Sequence, residues 1–206
     1  MIIWINGAFG AGKTTLANQL RERRPDLLLF DPEEIGFLVR STVPPAESGD
    51  FQDLPLWRSL TIATLVELRR HYDRDIVVPM TLVRPDYLDE ILTGIGGIDP
   101  RLVHVYLNLE AATLRGRIER QTMHPDPARN SEIRRWRLAQ VDRCLAARAK
   151  MPGGTWLLDS GAMAADDLAE LILAGIGDGT APLIPPRRAH GADGGGRTRM
   201  PEGARF

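Results

Sequence analysis

Residues 7–15 read GAFGAGKTT, directly after the apolar run Ile2-Ile3-Trp4-Ile5. Gly7, Gly12, Lys13 and Thr14 stand at the spacing G-x-x-x-x-G-K-[ST], and Leu16, Ala17 and Leu20 follow at helical intervals. Strand, glycine loop and helix in this order predict a phosphate-binding P-loop. Glycines at positions 10 and 12 let backbone N–H groups turn inward where side chains would collide with phosphate. The following helix adds the partial positive charge of its N-terminus. Residues 10–15 (Gly10, Ala11, Gly12, Lys13, Thr14 and Thr15) are therefore the expected ATP-binding set. Lys13 is assigned to the β- and γ-phosphates and the Thr14 hydroxyl to Mg²⁺.

Working outward, strands alternate with helices. Leu27–Phe30, Asp75–Pro79, Leu102–Leu109 and Trp156–Leu158 read as further strands. Helices are expected after Pro32, over residues 56–72, from Pro85 to Leu92, and over 110–120, 132–150 and 163–174. Gly94, Gly96 and Gly97 are expected to end the helix that Pro85 starts, and 121–131 to be a polar loop. The alternation predicts an α/β fold, a five-stranded parallel sheet flanked by helices in the manner of small P-loop kinases, within residues 1–176. Residues 177–206 turn rich in Gly, Pro and Arg without periodicity and read as a disordered tail.

Composition narrows the function. The chain has 206 residues, 43% hydrophobic and 26% charged, with net charge −1, so no field favours nucleic acid as a partner. Cys144 is the lone cysteine, which excludes an internal disulfide and fits a reducing cytoplasm. No apolar run reaches membrane-spanning length, and with a strand expected from Ile2 onward no signal peptide is expected. Arg187, Arg188, Arg197, Arg199 and Arg205 in the tail could touch anionic lipid, a peripheral contact. Oligomeric state is not legible.

The destination of the phosphate is read from the second strand. Asp31 stands at its C-terminal end, where parallel sheets place ligand-contacting residues. A carboxylate there would take or orient the proton of an attacking hydroxyl; it would equally cap the helix that Pro32 begins. A lid is expected over about 117–137, with Arg117 and Arg120 neutralising the transferring phosphate and Arg134, Arg135 and Arg137 behind them. The third strand ends Val78-Pro79-Met80-Thr81 without a Walker-B acid, so Mg²⁺ is expected to rest on Thr14, nucleotide and water, with Asp31 as a further ligand. Phe37, Arg40, Trp57, Arg58, Met80 and Thr81 are expected to line the acceptor pocket, and part of the helix from Leu56 to Leu68 to offer an apolar trough.

Four blocks taken together, IIWINGAFGAGKT at 2–14, DPEEIGF at 31–37, PLWR at 55–58 and VVPMT at 77–81, resemble the tunicamycin-resistance proteins from residue 1 to about residue 174. The resemblance implies ATP binding and phosphate transfer to a hydroxyl of tunicamycin, a nucleoside antibiotic with uracil, an amino sugar and a fatty acyl chain. It implies for Trp57 or Phe37 a stacking contact with uracil. More remotely, the chain is similar to chloramphenicol phosphotransferase and to shikimate and gluconate kinases. Two alternatives remain open at this point: a nucleotide-gated protein that sequesters the drug unmodified, and a kinase of another metabolite.

Overall fold

The computed structural model describes residues 1–99 and 101–185. In chain order it runs β1 (Ile2–Gly7), α1 (Lys13–Arg23), β2 (Leu28–Leu29), α2 (Pro32–Thr42), a 3-10 turn (Phe51–Asp53), α3 (Pro55–His71), β3 (Ile76–Pro79) and α4 (Pro85–Gly96). It continues with β4 (Leu102–Asn108), α5 (Ala111–Arg120), α6 (Pro127–Ala139), α7 (Val141–Ala147), a 3-10 turn (Arg148–Lys150), β5 (Trp156–Asp159) and α8 (Ala165–Gly177). The five strands form one parallel sheet in the order β2-β3-β1-β4-β5. The P-loop strand thus lies at the centre.

Alternation along β1 explains the two cores. Ile3 and Ile5 enter one core with Val77, Val103, Val105 and Leu107, against Leu16 and Leu20 of α1, Leu114 of α5 and Ile172 of α8. Ile2 and Trp4 point to the other face, against Ile76, Val78, Trp57 of α3 and Ile91 and Ile95 of α4. Successive strand side chains leave opposite faces of a sheet, so a strand buried on both sides must be apolar throughout.

Three expectations change. First, α4 runs through Gly94 to Gly96. A Cβ on Gly94 would stand 2.8 Å from the Ile62 side chain, so the glycine serves the close approach of α3 and α4 and does not break the helix. Second, the lid helix α6 starts at Pro127, inside the expected loop, because Asp126 caps it by accepting from the N–H groups of Ala128 and Arg129. Third, residues 178–185 pack against the domain. The Ile184 N–H donates to Leu102 O (2.9 Å) and its side chain is buried in the Ile2/Trp4 core. The remainder of the expected tail, with its arginines, lies outside the described residues. Ile184→Ala is expected to lower stability by about 2–4 kcal/mol in urea denaturation, the range for truncating a buried isoleucine.

Asn6, at the end of β1, holds the turn beyond β3 against the P-loop. Its Oδ1 accepts from the N–H of Gly7 (2.7 Å) and Leu82 (2.9 Å), and its Nδ2 donates to Leu82 O (2.7 Å). The second Nδ2 proton faces His104 Nε2 (3.3 Å). Thr155 Oγ1 donates to Pro152 O and so accepts from His104 Nδ1 (2.8 Å). This assigns His104 as neutral with the proton on Nδ1. Burial pushes its pKa down to about 3. Below about pH 6.5 the unfolded chain takes up a proton that the folded chain refuses, so stability falls as pH drops toward 3. Between pH 7 and 5 the loss from this group is on the order of 2 kcal/mol, and ordinary carboxylates titrate lower. Paired urea curves at the two pH values measure it.

Candidate functional site

The site is built on the C-terminal ends of β1, β2 and β3. Gly10 (φ +82°) and Gly12 (φ +100°) adopt left-handed backbone. No side chain caps α1 and its first turn holds no acid, so the N-terminus of this helix is left to an anion. A Cβ on Gly12 would meet nothing within 4 Å, so the constraint there is conformational. Lys13 is half-buried, and its Nζ donates to Ala8 O (2.9 Å). Burial is the main force pushing its pKa down to about 8. These residues fit a nucleotide polyphosphate.

Three adjoining cavities radiate from the loop. The transfer cavity, of about 320 Å³, is lined by Gly10, Gly12, Lys13, Thr14, Asp31, Glu33, Gln121 and Arg137 among others. A second, of about 380 Å³, shares the P-loop glycines and Gln121 and extends past Leu107, Arg117, Arg120 and Ser160 toward α8. A third, of about 510 Å³, shares Phe9, Glu33 and Arg137 with the transfer cavity and extends under α2 and the lid. Phe37, Arg40, Phe51, Gln52, Met80, Ile133 and Trp136 supply its walls.

Asp31 lines the transfer cavity and also caps α2, accepting from the Glu33 N–H (2.9 Å). The cap read from the sequence is present, and the same carboxylate stands in the cavity beside Lys13. Glu33, one turn into the same helix, faces both the transfer cavity and the third cavity. Burial, and then the neighbouring Asp31, raise its pKa above the ordinary glutamate value. Glu33 is not among the site residues read from the sequence, although it stands two positions after Asp31.

The lid arginines divide differently from the expectation. Arg117 and Arg120 line the second cavity; Arg117 donates to Ser160 O (2.7 Å), bridging α5 to the end of β5. Arg137 is the lid arginine in the transfer cavity. It is half-buried, and burial lowers its pKa, with Glu33 opposing. Its Nη1 donates to Gln121 Oε1 (3.1 Å) and to Met123 Sδ (3.1 Å).

Of the residues expected in the acceptor pocket, Phe37, Arg40 and Met80 line the third cavity. The expectation is corrected for Trp57, Arg58 and Thr81, which do not line it. Trp57 is fully buried, and its indole N–H donates to Pro32 O (2.9 Å). An amphipathic ring placed this way fastens α3 to the first turn of α2 and leaves no face for stacking. Arg58 is buried and paired with Glu90 (2.6 Å), and its Nη1 donates to Gln52 O (2.7 Å). Thr81 is buried, and its carbonyl accepts from Gln52 Nε2 (2.9 Å). These three residues back the pocket wall. Nor does α3 line this cavity; the groove that its residues Ala63, Thr64 and Leu68 border lies elsewhere. The cavity's apolar surface comes from Phe9, Phe37, Phe51, Met80, Ile133 and Trp136. Phe9, inside the P-loop, packs edge-on against Trp136 of the lid with ring centroids 4.9 Å apart. Sequence reasoning missed this pair, since nothing local links positions 9 and 136.

Comparison with known proteins follows this geometry. No curated protein matches the chain. Among solved structures, the tunicamycin resistance protein of Deinococcus radiodurans is 25% identical, with a TM-score of 0.61, over 90% of this chain and 99% of that one. A sugar kinase of a Janibacter species is 20% identical, with a TM-score of 0.57, over 87% and 96% of the two chains. A gluconokinase of Sinorhizobium meliloti is 17% identical, with a TM-score of 0.53, over 87% and 92%; these two likenesses show the fold alone. The likeness to a tunicamycin-resistance protein meets the resemblance read from the four sequence blocks. The family described as AAA domain (AAA_33) matches residues 2–147, and the chain, with its kinase-like P-loop fold, belongs to that family.

Proposed function

We propose that the protein is an ATP-dependent phosphotransferase whose acceptor is a hydroxyl of tunicamycin. One observation carries this reading: Asp31 and Glu33 share a cavity with Lys13, Thr14 and Arg137, and that cavity opens into an apolar-walled pocket under the lid. Sequestration of a drug needs no paired carboxylates beside a phosphate loop.

When bound, ATP supplies the transferable phosphoryl group, and the Thr14 hydroxyl would hold a Mg²⁺ that offsets the charge of its phosphates. Lys13 and Arg137 stabilise negative charge on the transferring oxygens from two sides. Asp31 takes the acceptor proton as the acceptor oxygen–phosphorus bond forms and the bond to the leaving diphosphate breaks. Glu33, facing both cavities, orients the acceptor hydroxyl. Arg117 and Arg120 border the nucleotide's far end. Phe37 of α2 and Trp136 of α6 are both exposed and line this pocket, suited to a flat base or an acyl chain.

Mass spectrometry of tunicamycin after incubation with protein, ATP and Mg²⁺ tests the proposal. A gain of one phosphate supports it. Unmodified drug bound tightly would assign sequestration, and unmodified drug with phosphorylation of another hydroxyl compound would assign a different acceptor.

A further inference from the structure

Gln121 occupies a singular place. It ends α5, lines the transfer cavity and also lines the cavity that carries Arg117 and Arg120. Its backbone oxygen accepts from Arg134 Nη2 (3.3 Å) and its side-chain oxygen from Arg137 Nη1 (3.1 Å). Two arginines of the lid helix are thus tied to one residue at the end of the preceding helix.

The chemistry of the tie matters. Among the described residues no carboxylate lies within ion-pair distance of Arg137, although Glu33 acts on it electrostatically. Its hydrogen-bond partners among the described residues, an amide oxygen and a thioether sulfur, are both neutral. A guanidinium carries five N–H donors, and a neutral acceptor engages one edge without cancelling the charge. The ring of Phe9, 5.6 Å from the guanidinium, adds a second neutral contact. A carboxylate in place of the amide would form a charge-assisted pair and hold the arginine back from any anion.

We propose that Gln121 is a positioning residue that aims Arg137, with its charge uncancelled, at the terminal phosphate of a nucleoside triphosphate. The proposal rests on the phosphotransferase reading for its purpose, but its test needs no acceptor. Because Gln121 also borders the second cavity, it links the nucleotide's seat to the lid arginine through a single side chain. The lid then distinguishes a triphosphate from a diphosphate.

The experiment measures affinities of the full chain for ADP and for a non-hydrolysable ATP analogue, each with Mg²⁺. In the wild type the analogue should bind more tightly. In Gln121→Glu that preference should fall about tenfold, since the introduced carboxylate competes for Arg137, with the loss for the analogue exceeding any loss for ADP by that factor. Gln121→Leu, which removes the acceptor without adding charge, should lower it about threefold. In an Arg137→Gln background, Gln121→Glu should have no further effect on the preference. An unchanged preference in Gln121→Glu overturns the proposal. So does an equal loss of ADP and analogue binding, or a fall as large without Arg137 as with it. Failure of tunicamycin phosphorylation with these ratios intact would overturn the acceptor assignment and leave Gln121's role standing.

Discussion

Lys13→Ala is expected to remove nucleotide-dependent turnover almost entirely. Lys13 is the cation at the root of the P-loop, half-buried, with its Nζ on the Ala8 carbonyl. Loss of a charge-assisted contact to the transferring group should cost at least about 3 kcal/mol of transition-state stabilisation, or a fall of at least about 10² in rate. A pH signature accompanies it. Burial has already pushed this ammonium down to about 8, so the free protein loses the charge within a mild alkaline range. A polyphosphate binds the protonated form better, and binding takes up a proton above that pKa. Nucleotide affinity should therefore weaken as pH rises from 7.5 to 9 in the wild type and stay flat in Lys13→Ala. Calorimetric titration at several pH values measures both. Wild-type turnover in the variant would end the P-loop assignment.

Asp31→Asn should lower kcat by about 10²-fold or more while leaving ATP affinity nearly unchanged. The P-loop and the α1 N-terminus hold the nucleotide without this side chain. The substitution is nearly isosteric, and asparagine retains the oxygen that accepts from the Glu33 N–H, so the α2 cap and the fold should survive. What disappears is the capacity to take a proton. Glu33→Gln is the companion variant: a residue that orients the acceptor should show its loss chiefly in KM for the acceptor. ATP titration paired with mass spectrometry of the product separates the two. Retained binding with lost phosphorylation supports the role of Asp31. If phosphorylation survives in Asp31→Asn and vanishes in Glu33→Gln, the proton goes to Glu33.

The parts of the site legible in the sequence were those encoded by short spacing. The P-loop needs eight consecutive positions and the Asp31-Pro32 helix start only two, so both could be read directly. The Asp126-Pro127 start of the lid helix follows the same grammar and could have been read as well. Trp57 and Arg58 misled because their partners are distant: Pro32 and Glu90 lie 25 and 32 positions away, and only the fold shows that the ring and the guanidinium are already satisfied. Arg137 was hidden among many arginines. Its distinction from Arg117 and Arg120 is which cavity it lines, a property of the α5–α6 turn and its Gln121 contact. The Gly94 error has a similar source, because a glycine that admits Ile62 of a neighbouring helix looks, in sequence, like a helix breaker.

The central position of β1 carries a consequence for how such a protein changes its repertoire. β2 and β3 flank it on one side and lead to Glu33 and Met80 in the pocket under the lid; β4 and β5 flank it on the other and bring Leu107 and Ser160 to the opposite cavity. The chain is thus modular across its midline. Exchanging segments 31–53 and 127–137 would rebuild the walls of the pocket on one side and leave the residues that line the opposite cavity in place.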